Sequence, residues 1–263
     1  MPAIYTYPKG AAVVFGGSGG AGSDVCRAFA AAGCDVAVHF HSAEAKAQAI
    51  ADELKQHGVQ ASIGKADIRE FDEVQAFLAD VVKAHGSIHT IVYAAGPHID
   101  VLPILENTPD RFRFMVESEL LGFFHIARAA LPHLKESVGN IVACVTYANR
   151  KVLINDGQSA APKAGIESLV RQIAVEEAKY GVRANAVALG WLDVGQGALA
   201  PSDRSNVQTE IGKEMAALMG SMVPLGQRPG RGEELAAAVL FLASEQASFI
   251  TGQSISVDGG ATL

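Results

Sequence analysis

The 263-residue chain is 49% apolar and 19% charged, which is enough apolar content for a sizeable buried core and too much for a disordered protein. A formal charge of −7 and a pI near 5.6, with no basic cluster, speak against a nucleic-acid partner. The longest apolar runs, such as AAAVLFLA (236–243), fall far short of the ~20 residues a membrane helix needs.

The N-terminal MPAIYTYPKG lacks the charged and then apolar segments of a signal peptide. Cys26, Cys34 and Cys144 are odd in number and sit in apolar or helical segments, so they read as free thiols in a reducing compartment. The Cys/His spacing gives no metal site, and the expectation is a cytoplasmic protein.

Strand-like and helical runs then alternate. AAVVFG (11–16) is followed by the glycine-rich GGSGGAG (16–22), which opens the helical pattern SDVCRAFAAAG (23–33). Glycines at such a strand–turn–helix junction permit a tight turn and close backbone approach, and the helix N–H groups favour a pyrophosphate. DVAVHF (35–40), AEAKAQAIADELKQHG (43–58), ASIGKAD (61–67), FDEVQAFLADVVKAHG (71–86) and HTIVYAAG (89–96) continue the alternation. NIVACVT (140–146), the helix opening in GQSAAPKAG (157–165), RANAVALG (183–190) and SISVDGG (254–260) complete it. Gly33, Gly58, Gly86 and Gly181 are placed as helix stops. Strands apolar on both faces, alternating with helices, predict one doubly wound α/β domain over 1–263. Its parallel sheet has about seven strands, with helices on both faces.

Residues 191–231 are the least regular connection. EIGKEMAALMGSM (210–222) puts Ile211, Met215, Leu218, Met219 and Met222 on one helical face. That face packs on the domain, or serves as a lid closing over a partly apolar small-molecule ligand, and the two are compatible.

The chain resembles the short-chain dehydrogenase/reductases, close in pattern to the 3-oxoacyl-carrier-protein reductases, along nearly its whole length. The family's T-G-x-x-x-G-x-G turn maps onto Phe15, Gly16, Gly20 and Gly22, with Ser18 inside it. Ala94, Ala95 and Gly96 resemble its N-N-A-G segment, with Tyr93 in place of an asparagine, and FLASEQASFITGQSISVDGG (241–260) is nearly its consensus. The resemblance implies a Rossmann-type fold, a nicotinamide cofactor, and a homotetramer built through helices beginning near residues 117 and 160. Asp67, with Ile68, resembles the acid that holds the adenine; Gly190 survives from the proline–glycine pair after the sixth strand, whose proline is replaced by Leu189. Phe40, His41 and Ser42 occupy the place where a carboxylate would select NAD(H), so NADP(H) is favoured and NAD(H) remains open. The arginine that commonly partners the extra phosphate is absent too, since Gly19 holds its place.

The catalytic positions depart further. Members of the family use a serine to orient the carbonyl, a tyrosine to donate the proton, a lysine to hold the ribose and an asparagine to support a relay water. Here those places fall at Thr146, Ser159, Lys163 and Glu119. A phenol starts near pKa ~10 and a lysine can bring it into range, whereas an aliphatic hydroxyl is far less acidic and shorter. Losing a positioned acid costs ~10²–10⁴ in rate. Pro162 is expected to mark the first turn of its helix, placing the start near 159–162. Val194 replaces a threonine that helps hold the nicotinamide amide. His98 is the preferred substitute proton donor, with Tyr147 and Asp156 as the other candidates. Three readings stay open: an NADP(H)-dependent oxidoreductase of atypical mechanism, a non-redox lyase, dehydratase or isomerase, and a non-catalytic cofactor-binding partner subunit.

Overall fold

The computed structural model describes residues 5–195 and 217–263. Among these, β1 (Ala11–Phe15), β2 (Asp35–Phe40), β3 (Ala61–Lys65), β4 (Ile88–Tyr93), β5 (Asn140–Thr146), β6 (Arg183–Leu189) and β7 (Ser254–Val257) form one parallel sheet. The strand order is 3-2-1-4-5-6-7. The predicted doubly wound sheet is therefore present. Several strands stop short of the apolar runs, because Ala66–Asp67, Ala94–Gly96 and Gly190 leave the ladder at the C-terminal edge of the sheet.

Side chains alternate across each strand, so each face has its own core. Ala11, Val13 and Phe15 join residues of α3 (Phe71–His85), α5 (Gly122–Ser137) and α6 (Gly157–Glu176) on one face. Ala12 and Val14 join α1 (Gly20–Ala31), α2 (Glu44–Lys55) and α7 (Gly232–Ala243) on the other. The four glycines expected to stop helices all adopt the left-handed backbone, with φ from 76° to 83°. All three cysteines are free and buried, and burial pushes the Cys34 and Cys144 thiols up to about 12.

One continuous helical path builds the site. α4 (Pro109–Val116) starts at Thr108, whose hydroxyl accepts from Arg111 N–H at 3.2 Å, with Pro109 in the first turn. It runs through a π-helical turn, Glu117–Leu121, into α5 without leaving helical backbone angles.

Of the expected lid, residues 196–216 lie outside the described residues, and with them Ile211 and Met215 of its Met-rich face; 217–221 are helical. No described helix is long and apolar enough to cross a membrane.

Candidate active site

β1 has β2 on one side and β4 on the other, so the chain reverses its winding direction there and a crevice opens at the strands' C-terminal ends. The glycine turn sits at that point. Gly16 has φ +80°, and a Cβ on it would lie 2.5 Å from Ala94 O. A Cβ on Gly22 would lie 2.2 Å from Gly16 O. The turn closes on itself through Gly19 N–H to Gly16 O at 2.9 Å. No side chain caps α1, and its first turn holds no acid, an arrangement chemically suited to an anionic ligand. The loop after β6 returns onto the turn, since a Cβ on Gly20 would meet Gly195 N at 2.6 Å. Gly190 is equally confined, its would-be Cβ 2.6 Å from Asp258 Cα.

His39 holds this turn from below. Gly16 N–H donates to its Nδ1 at 3.1 Å, which assigns the proton to Nε2, and Nε2–H then donates to Ala66 O at 2.9 Å. Burial pulls this imidazole down to about 4, so it is a neutral strut between the ends of β1 and β3.

At the far end of the crevice, Phe40 is buried in the core and offers the site only its backbone. His41 and Ser42 are exposed at the strand end. Asp67 is already engaged: Arg69 Nη2 and Nε donate to its carboxylate at 2.5 and 3.0 Å, and His41 Nε2 lies 3.7 Å away. The Arg69 hydrogen bonds hold Asp67 down to about 2. Ile68 packs against Gly122, where a Cβ would come within 2.9 Å of it.

The π turn aims Glu119 inward. Its carboxylate is fully buried, with Lys163 Nζ 2.5 Å from Oε1 and the Tyr93 hydroxyl donating to Oε2 at 3.1 Å. A π turn adds a residue to one turn and re-phases the helix, a device common at functional sites. Gly96 passes close over the carboxylate, and Gly165 lets α6 settle on Leu120, 2.9 Å from a would-be Cβ. Burial and the Glu119 charge raise the Tyr93 phenol well above its usual range, so it serves as a neutral donor.

α6 begins at Gly157, earlier than the 159–162 expected, and Pro162 lies inside it as its sixth residue. The helix survives because a proline there removes only one intrahelical bond, the one to Gln158 O, and Ser159 and Ala160 N–H already bond Asp156 O at 3.0 and 2.9 Å. Gln158 is anchored separately, its Nε2 donating to Asp100 O. The start is fixed by Asn155 in the left-handed region at φ 68°, whose carbonyl accepts from Leu102 N–H at 3.1 Å.

These elements bring Ser159, Lys163 and Glu119 together. Ser159 is buried, with Lys163 Nζ 3.4 Å from its Oγ. Burial, with Glu119 nearby, pushes Asp156 up to about 6 against the pull of Lys163. Thr146 ends β5 beside Leu189 of β6; its Oγ1 accepts from Ala148 N–H at 3.1 Å, leaving its proton to donate elsewhere. Tyr147 is buried with Val223 and Ala261, and burial with Asp156 and Asp258 raises its phenol, making it a poorer acid. His98 instead faces its own loop: Nε2 lies 3.6 Å from Asp100, and its carbonyl accepts from Arg111.

Three participants are not conspicuous in the sequence. Arg69 follows Asp67 by two residues, a spacing that suits a local ion pair. Tyr93 and His39 carry no local signal, because their partners are 26 and 23 residues away. No group of three or more potential metal-ligating side chains occurs among the described residues.

The family described as "Enoyl-(Acyl carrier protein) reductase" matches residues 16–262. The chain is 34% identical over 256 residues to the L-fucose dehydrogenase of Oryctolagus cuniculus, covering 95% of this chain and 84% of that protein. It is 31% identical over 252 residues to the 3-oxoacyl-[acyl-carrier-protein] reductase FabG of Staphylococcus aureus, covering 95% and 96%. Among solved structures, a dehydrogenase/reductase from Sinorhizobium meliloti 1021 superposes with a TM-score of 0.88 at 26% identity, covering 99% and 98% of the two chains.

Proposed function

Because the chain belongs to the short-chain dehydrogenase/reductase family of oxidoreductases, we propose that it works with NADP(H) on a carbonyl/alcohol pair and does so without the family's tyrosine. The observation that carries the nucleotide preference is the end of β2. Phe40 is turned into the core, His41 and Ser42 are exposed, and Asp67, 3.7 Å from His41, is already paired with Arg69. None of Phe40, His41 and Ser42 supplies a carboxylate to repel a ribose phosphate.

The glycine cradle fits a dinucleotide, since a side chain at Gly16 or Gly22 would fill it. A reduced nicotinamide bound there supplies the hydride. The chain's own residues do the rest. Gly16, Ser18, Gly20 and Gly22 bind the phosphates, Ala94, Ala95, Gly96 and Gly190 line the crevice, and Asp67 and Ile68 border the adenine. Thr146 donates its hydroxyl proton as a hydrogen bond to the substrate oxygen. Lys163 holds the ribose while Glu119, at 2.5 Å, fixes its ammonium.

A partly apolar substrate fits the exposed rim beside the site. Val101, Ile104, Leu105, Val152 and Ile154 project from two loops joined by the Leu102–Asn155 hydrogen bond. Exposed Leu121 and Phe124 of the π turn and α5, with Val175 of α6, suit a homo-oligomeric contact of the tetramer type. The test is turnover: NADPH oxidation on adding 3-oxoacyl thioesters, diketones and aldehydes, and NADP⁺ reduction on adding sugars and secondary alcohols. Conversion in either direction supports the reading. Substrate consumption with no nucleotide turnover contradicts it.

A further inference from the structure

Resting on the oxidoreductase reading above, we propose that the Glu119 carboxylate selects the oxidation state of the nucleotide. It cancels the Lys163 charge and so favours the oxidised, cationic nicotinamide over the reduced, neutral one. The site is thereby biased towards withdrawing hydride from an alcohol rather than delivering it to a carbonyl.

The fold sets these charges. A neutral side chain at residue 119 would leave the Lys163 ammonium as an uncompensated cation in the crevice. Instead, Glu119 Oε1 lies 2.5 Å from Lys163 Nζ, while Oε2 accepts from the Tyr93 hydroxyl at 3.1 Å. Both oxygens accept and neither donates, which is the pattern of an ionised carboxylate. The Tyr93 hydroxyl also lies 3.4 Å from the Glu119 carbonyl oxygen, which ties the phenol to the π turn. The carboxylate has no exposure of its own, whereas Lys163 keeps 13% of its side chain open. Charges walled off from water are screened far less than charges on the surface, so this pair acts strongly on what binds beside it. A Cβ on Gly96 would lie 3.2 Å from Oε1, so this glycine of the crevice lining packs directly against the carboxylate.

The neighbouring arginines bring acids of their own. Arg111 is 3.0 Å from Asp100, and Arg69 is paired with Asp67. Removing Glu119 or Lys163 changes the local charge by one unit, in opposite senses. Oxidised and reduced nucleotides share every phosphate and differ by one positive charge on the ring. Their affinity ratio cancels the contacts common to both and reads the potential at the nicotinamide. A tenfold change in that ratio shifts the potential of the bound couple by about 30 mV. In the favoured direction the alcohol gives a hydride to the nucleotide and its hydroxyl proton to water, and its C–O bond becomes C=O.

Calorimetric titration with NADP⁺ and with NADPH at pH 8 tests this in wild type, Glu119→Gln, Lys163→Met and the double variant. Glu119→Gln is expected to move the ratio of affinities about tenfold towards NADPH. Lys163→Met is expected to move it the other way, and the double variant, neutral again, to return towards the wild-type ratio. A merely structural role would weaken both nucleotides together and leave the ratio in place. Glu119→Gln and the double variant leave no fully buried charge at these positions, so they carry the test if Lys163→Met alone does not fold. A Glu119→Gln ratio within about twofold of wild type, or moved towards NADP⁺, overturns the role of Glu119 while nucleotide binding stands. A double variant displaced as far as Glu119→Gln overturns it equally. If the protein binds NAD⁺ and NADH instead, the same ratio is read with them and decides the role of Glu119 by the same criteria. Binding of neither couple overturns the oxidoreductase reading and this role with it.

Discussion

Asp156→Asn should make the protein more stable at neutral pH, and the size of the gain follows from the site. Asp156 is raised from 3.8 to about 6 by burial and by Glu119. Between those values the native protein keeps a proton that the unfolded chain has lost, so stability falls as pH rises through that window. The full gap corresponds to about 3 kcal/mol, and the partial solvent access of Asp156 scales this to about 1–3 kcal/mol. Asparagine removes the charge at nearly the same volume. Thermal and urea unfolding at pH 4, 5, 6 and 7 should show the two proteins alike at the acid end. They should diverge towards pH 7, with the variant melting higher by about 2–4 °C per kcal/mol. A variant less stable than wild type at pH 7, or a gap that does not change with pH, would refute the reasoning. The expected gain marks a residue that costs stability in its native place, as functional groups often do.

Other substitutions probe the rest of the site. Lys163→Met leaves the fully buried Glu119 with only the Tyr93 hydroxyl, at a cost of about 3–5 kcal/mol, and adding Glu119→Gln should recover most of it; additive losses in urea unfolding would contradict the pairing. Gly16→Ala forces a Cβ to 2.5 Å from Ala94 O at φ +80°, so it should cost more than about 2 kcal/mol and abolish nucleotide binding, checked by unfolding and calorimetry. His39 and His89 are both pulled down to about 4 by burial, so the unfolded chain protonates first and stability falls as pH drops from about 6.5 to 4. His89→Phe, which removes a buried Nε2 with no hydrogen-bond partner among the described residues, should flatten that acid fall by up to about 3 kcal/mol. An unchanged slope in acid melts would show that His89 is not one of its sources.

The sheet and the glycine turn were legible because their signals are local. Alternating apolar runs and glycine stops carry the β/α order, and Gly16 in GGSGGAG needs its φ of +80°. The α6 start was misjudged because Pro162 was weighed by the rule for an isolated helix. In place, Asn155 and Asp156 set the first turn, and the helix tolerates one missing bond. The departures at Glu119 and Ser159 were visible one at a time, but their coupling was not. Residues 119 and 163 are 44 apart in sequence and meet only because the π turn and Gly165 bring α6 onto that helix. His98 looked more suitable than Asp156 by its ordinary pKa. The structure gives His98 an acid partner on an exposed loop, and gives Asp156 the burial that raises its proton affinity.

The central claim is that an intact NADP(H) site serves a Ser159–Lys163–Glu119 cluster in place of the family's phenol. Calorimetric titration of the wild-type protein with NADPH and, separately, NADH tests its foundation most directly. The account predicts saturable binding of NADPH, tighter than NADH by at least about tenfold, an amount equal to about 1.4 kcal/mol. Binding of neither nucleotide would contradict it, and a preference for NADH would contradict the reading of Phe40, His41 and Ser42 at the end of β2.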